Sequence, residues 1–153
     1  MTPKIVIHTD VFLEHLTGSG SPSILRQAMN RFFCYATVFH AMHLFSLART
    51  ARESKAIEAA MAAMKIMGLN ARRAETYGRL LASTGPSNMM NVAIAGLCLE
   101  SRLPILTDRA GDFRGIRGMQ IVPTGLVAKF ENGGQILRAA RRGVHSNALK
   151  RES

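Results

Sequence analysis

Short apolar runs alternate with stretches of helical spacing along most of the chain, and this alternation predicts the elements. Residues 4–8 (KIVIH) read as a buried strand, punctuated by Thr9 and Asp10 before VFLEHL, which has the spacing of a helix. Residues 17–23 (TGSGSPS) form a loop in which Ser21 or Ser23 can cap a short helix over 24–30, with Pro22 at its edge. The aromatic run FFCYAT at 32–37 predicts a second buried strand. A helix over 38–50 follows, with Thr37 available as its cap and Phe39, Met42, Leu47 and Ala48 inward.

Residues 53–64, rich in Ala and Met, suit a closely packed helix, and 65–69 add an irregular strand ending near Gly68. Asn70 then starts a helix over 71–82 with Arg72, Arg73 and Arg79 outward, closed by the loop STGPS. Residues 87–122 read as a helix, a short buried strand ending in Thr107 and Asp108, a loop closed by Phe113, and a last strand. Beyond Pro123 the composition changes: a turn over 130–134, a short basic helix over 135–142 and a polar end. Arg138, Arg141, Arg142, Lys150 and Arg151 read there as a flexible basic extension.

Helix alternating with apolar strand is the pattern of a parallel sheet covered on both faces. The expected fold is therefore a single three-layer α/β/α domain with a central parallel sheet of four or five strands, in residues 1–125, followed by the basic extension at 126–153. Such sheets place their sites beyond the carboxyl ends of the strands. Thr107, Asp108 and the first turn of the helix that opens residues 87–122 should thus share one cleft.

The chain's 153 residues are enough to bury roughly two thirds of the unfolded surface without staples. Cys34 and Cys98 lie among apolar neighbours and, with no signal peptide in view, read as free buried thiols in a reducing cytoplasm. No apolar run approaches the roughly 20 residues that span a bilayer, so no membrane role is expected. A formal charge of +10 and a pI near 10.8 favour a polyanionic partner such as RNA, because neutralised phosphates release counterions on binding; a generally basic solvated surface is the plainer alternative.

Three segments in order carry a family resemblance: IVIHTDVFLEHL at the start, TVFHAMHLFSLA in the middle, and NVAIAGLCL followed by PILTDRAGDF. Together, over residues 4–124, they resemble PIN domains, particularly the small toxin ribonucleases of bacterial toxin–antitoxin pairs. The resemblance implies a PIN topology, a homodimer, a small antitoxin that inserts a segment into the cleft, and magnesium or manganese held by clustered carboxylates to activate water for phosphodiester hydrolysis.

Several of this chain's residues depart from that pattern. Where the family's first strand ends in Asp, this chain has His8, followed by Thr9 and Asp10. The middle helix should carry Glu before Leu; here His43 precedes Leu44. The later helix should open with Asp and has Asn91. The last acidic region survives as Asp108 and Asp112, with Arg109 where the family more often places its fourth acid. The family's catalytic positions thus fall on His8, His43, Asn91 and Asp108, supported by Thr9, Asp10, Thr107 and Asp112.

Three lost charges weaken a magnesium site severely, since each is worth about 4 kcal/mol with a monovalent cation at about 4 Å and an effective dielectric near 20. Two readings follow. In one, the domain no longer cuts and acts by binding RNA, with Arg109, Arg138, Arg141 and Arg142 toward phosphates, or by binding a protein partner. In the other, His8, His43 and Asp108 form a different metal site, with His40 one turn away, because imidazole suits zinc, iron, nickel or copper. His15 and His145 read as surface residues. Met61, Met64, Met67, Met89 and Met90 read as core or dimer-face packing, and Gly133 with Gly134 as a turn rather than a phosphate loop.

Overall fold

The structure is a computed structural model that describes residues 2–18, 22–85 and 88–152, with the side chains of the last helix described as far as residue 143. Five parallel strands, β1 (Lys4–Ile7), β2 (Phe33–Thr37), β3 (Lys65–Met67), β4 (Ile105–Leu106) and β5 (Ile121–Val122), form one sheet in the order β3-β2-β1-β4-β5. The chain builds outward from β1 in one direction and then returns to its other side. The topological switch therefore falls between β1 and β4, where open parallel sheets place their sites.

Alternation along the strands explains the two cores. Ile5, Ile7, Cys34, Ala36 and Leu106 face one cluster, completed by Val11, Phe12, Leu25, Leu44 and Ile57 from the helices, while Val6, Tyr35 and Ile105 face a second with Ile94, Ala95, Cys98 and Phe113. Strands buried on both faces read as continuous apolar runs, which is why they were legible in the sequence. The covering helices are α1 (Thr9–Thr17), α2 (Ile24–Met29), α3 (Val38–Leu47), α4 (Ala51–Ala62), α5 (Ala74–Ser83), α6 (Met89–Ser101), α7 (Gly125–Lys129) and α8 (Gly133–Glu152). Among the described residues, no helix is long and apolar enough to cross a membrane. Cys34 and Cys98 are free and buried, and burial pushes each thiol up to about 12.

Several expected boundaries move for local reasons. Ser23 caps α2 by accepting from the Arg26 N–H, and also meets His15 Nδ1 at 2.7 Å, so His15 is half-buried rather than a surface residue; Ser21 lies outside the described residues. The helix expected over 38–50 stops at Leu47, because Thr50 turns to extended backbone and caps α4, accepting from the Glu53 N–H at 3.1 Å. The phase of α3 also differs: His40 and Leu44 face inward, whereas Met42 and Leu47 are about half exposed. The strand expected over 65–69 is three residues long, and the helix expected over 71–82 opens with a 3-10 turn at Ala71–Arg73. Pro86 and Ser87 of the loop before α6 lie outside the described residues. Against α6, Tyr77 packs on Gly96 so closely that a Cβ there would lie 2.2 Å from the ring.

The largest difference is at the carboxyl end. Val127, Ile136 and Ala140 are buried in the larger core, so residues 127–140 are not a loose extension. Gly133, expected in a turn, starts α8; a Cβ there would come within 2.5 Å of Pro3 and 2.6 Å of the Arg31 carbonyl oxygen, so the helix can begin against the first strand only with glycine at this place. Arg138, Arg141 and Arg142 are exposed on α8, while the side chains of His145, Lys150 and Arg151 lie outside the description. Finally, α6 ends on Arg102, the one described residue other than glycine with positive φ, at 54°.

Candidate functional site at the carboxyl edge of the sheet

His8 leaves the end of β1 as the N-cap of α1 and is 1% exposed. Its ring is held at both nitrogens: Nδ1 lies 3.0 Å from His40 Nε2, and Nε2 lies 3.0 Å from Asp112 Oδ2. His40 is fully buried at the third position of α3, where its Nδ1 meets the Thr37 N–H at 3.1 Å and the Thr37 hydroxyl at 3.0 Å. The Thr37 hydroxyl oxygen in turn accepts from the His40 N–H, so this pair forms a capping box that draws the ring inward and sets the phase of α3.

One proton assignment satisfies the whole chain. A backbone N–H only donates, so His40 Nδ1 accepts from Thr37; neutral His40 then carries its proton on Nε2 and donates to His8 Nδ1. His8 must carry its own proton on Nε2, where it donates to the Asp112 carboxylate. The electrostatics agree with neutral rings. Burial lowers the His8 pKa below its ordinary value, opposed by the hydrogen bond to Asp112 and by the charges of Asp10 and Asp112, and assisted by Arg109. Burial holds His40 well below the usual range, and the neighbouring charges of His8 and His43 press it further down. The Phe113 ring packs on His8 with centroids 4.9 Å apart, and Arg109 Nε stands 3.5 Å from Asp112.

A second network joins the ends of β1, β4 and β5. Asp10 accepts from the Thr107 hydroxyl at 2.8 Å and from the Asp108 N–H at 2.9 Å, and the Thr107 oxygen accepts from the Arg109 N–H at 2.9 Å. Asp108 turns the other way: one carboxylate oxygen accepts from the Thr124 N–H at 2.9 Å and the other from the Thr124 hydroxyl. Thr9 is buried in the first turn of α1 beside these groups.

Of the residues singled out in the sequence, the structure joins His8, His40 and Asp112 directly, and Asp10, Thr107 and Asp108 in the adjoining network. Asp108 is engaged with Thr124, and Asp112 is the acid that reaches His8. His43 is exposed on α3, near enough for its charge to bear on His40. Asn91 sits half-buried in the first turn of α6, its N–H accepted by Asn88 Oδ1 at 3.3 Å. Because α6 runs antiparallel to β4, that first turn lies toward the carboxyl edge. Among the described residues, no group of three or more His, Cys, Asp or Glu side chains is arranged to hold a metal ion. Thr37 was missed in the sequence as part of the site. The signal was present, since Thr37 and His40 have the three-residue spacing of a capping box.

No protein-family model and no curated protein matches the sequence. Solved structures do match the fold. VapBC2 from Rickettsia felis, bound to a DNA fragment from its promoter, contains a chain that aligns with a TM-score of 0.65 at 9% identity, covering 78% of this chain and 98% of that one. DNA-bound VapBC from Salmonella typhimurium aligns at 0.66 and 16% identity, covering 80% and 98%. A toxin–antitoxin complex from Klebsiella pneumoniae aligns at 0.60 and 17% identity, covering 78% and 97%. At such identities the likeness speaks to architecture: this chain has the PIN-domain fold found in VapBC toxin–antitoxin complexes.

Proposed function

We propose that this protein is related to the metal-dependent toxin ribonucleases and acts by binding RNA or an antitoxin-like protein, with conventional magnesium-dependent cleavage lost. The observation that carries this reading is the position of His8. A ligating imidazole offers a free lone pair, but His8 Nδ1 accepts from His40 and His8 Nε2 donates to Asp112. Asp108 is bonded at both oxygens to Thr124, and Asp10 is bonded at both to the turn after β4. Asp112, shared between His8 and Arg109, is the remaining acid of the cleft. Magnesium demands hard oxygen ligands in near-octahedral array, and these residues do not fit it.

The same bonds count against a rearranged centre on His8, His43 and Asp108, which would have to break them first. Likeness to toxin–antitoxin complexes supports an antitoxin-like partner, and a homodimer remains part of the proposal on the strength of the family resemblance. An RNA role is supported by the charge of +10.

The test is RNA cleavage alongside thermal melts, each with magnesium, manganese, zinc or chelator, on the original protein and on the triple variant His8→Asp, His43→Glu, Asn91→Asp. The original should show no magnesium-dependent cleavage. The variant should be less stable without metal, because it places a new carboxylate beside Asp112, and magnesium should restore part of that loss by binding the folded state alone. Robust magnesium-dependent cleavage by the original, in a nuclease-free preparation, overturns the proposal. Zinc- or manganese-specific stabilisation abolished by His43→Ala would establish the rearranged centre instead.

A further inference from the structure

At the opposite, amino edge of the sheet, β1 begins at Lys4, α6 ends at Arg102, and α8 passes with Arg141 outward; these three cations line one open hollow of about 490 Å³. None of the three has an ion pair or side-chain hydrogen bond among the described residues; the nearest contact of this kind is Lys4 Nζ, 6.0 Å from the centre of the Tyr35 ring. No acidic residue lines the hollow. The dipole of α6 accounts for one cation at its carboxyl end, but not for two more brought there by β1 and α8.

Two further observations converge on the same place. Gln120 also lines the hollow, and its Nε2 is the buried side-chain nitrogen or oxygen that lacks a hydrogen-bond partner among the described residues. A buried donor left unmade is costly and calls for an acceptor. Arg102 holds a left-handed backbone, φ 54°, at a helix end where glycine is the easier residue. Strain of this kind clusters at binding sites.

We propose that this hollow is a phosphate-binding site, in which Lys4, Arg102 and Arg141 neutralise the anion and the Gln120 amide, closed off from solvent in the free protein, turns to donate to one of its oxygens. Guanidinium groups match phosphate with paired N–H donors, and three cations without a counter-charge favour a multiply charged group. The phosphate can belong to a nucleic-acid backbone or to a small free compound such as pyrophosphate. The site lies about 13 Å along β1 from the histidine cleft, the length of a four-residue strand, and does not depend on whether that cleft cleaves RNA.

The experiment compares the full-length original with Arg102→Gly, Gln120→Leu and, as a control that removes one exposed charge elsewhere, Lys55→Gln. Melts are run with pyrophosphate against sodium chloride of equal ionic strength, and single-stranded RNA binding is titrated across salt concentrations. Pyrophosphate should raise the Tm of the original and of Lys55→Gln beyond the salt control. Arg102→Gly should fold at least as well as the original, since its backbone angle suits glycine, yet bind pyrophosphate about tenfold more weakly, as should Gln120→Leu. If RNA supplies the phosphate, the slope of log affinity against log salt should fall by about 0.7 in Arg102→Gly and stay unchanged in Gln120→Leu and Lys55→Gln. Loss of pyrophosphate binding with an unchanged RNA slope upholds the site and makes a small free phosphate compound its ligand. The absence of any pyrophosphate effect on the original, or equal binding by Arg102→Gly and Lys55→Gln, overturns the proposal, and neither result bears on cleavage at the other edge.

Discussion

The two edges of the sheet treat polar groups in opposite ways. At the carboxyl edge, where open parallel sheets place their sites, Thr37, His40, His8 and Asp112 form a chain in which every ring nitrogen has a partner. At the amino edge, three cations without a counter-charge line a hollow, and a buried amide nitrogen of Gln120 has no partner among the described residues. A saturated network contributes to stability, whereas unmet donors weaken the free protein and reward whatever meets them. Position in the fold alone would have pointed to the first edge; the hydrogen bonds point to the second as the place prepared for an anion.

The strongest way to break this contrast is His40→Ala. It leaves the Thr37 N–H and His8 Nδ1 without their partner and opens a cavity, so it should cost about 3–5 kcal/mol and lower the Tm by about 10 °C. Denaturant unfolding measures it, and a loss as small as that of an exposed residue would show that the chain of rings does not hold the domain together. A second effect is on pH. Both folded-state pKa values lie below the ordinary 6.5, so the unfolded chain binds more protons in acid and stability falls as the pH drops below 6.5. Each ring contributes up to about 1.4 kcal/mol per pH unit in that window and nothing above it. Melts from pH 7.5 downward should therefore be flat at first and then decline, and a profile unchanged in His40→Ala would assign the decline to other groups. The smallest effect is that of Thr124→Val, which removes the hydroxyl that bonds Asp108. It should cost about 1 kcal/mol and leave the response to magnesium, manganese and zinc as it was; a changed metal response would return Asp108 to the cleft.

How far the sequence could be read follows from the range of the forces involved. The strands and their parallel arrangement were legible, because burial on both faces leaves unbroken apolar runs such as IVI and FCYAT. The phase of α3 was not. Counting apolar residues placed Met42 and Leu47 inward along with Phe39, whereas a polar capping interaction at Thr37 turns His40 and Leu44 inward and leaves Met42 and Leu47 about half exposed, with Phe39 packed against the smaller core. Asp108 and Asp112 could not be told apart by spacing, since the distinction rests on Thr124, 16 residues further on, which takes Asp108 away. Arg102, Lys4, Arg141 and Gln120 are far apart along the chain and have no common motif. Only the folded sheet edge assembles them.

The contact of Gly133 with Pro3 and Arg31 has a consequence for the order in which the protein can be made. The helix that starts at Gly133, seated against Pro3 and Arg31 synthesised more than a hundred residues earlier, brings Ile136 and Ala140 into the larger core. Until residue 140 has been translated and has left the ribosome, at about 5–20 residues per second, the larger core lacks Ile136 and Ala140. The nascent chain thus holds an exposed apolar seam through most of its own production, and final closure waits on a helix whose outer face carries Arg138, Arg141 and Arg142.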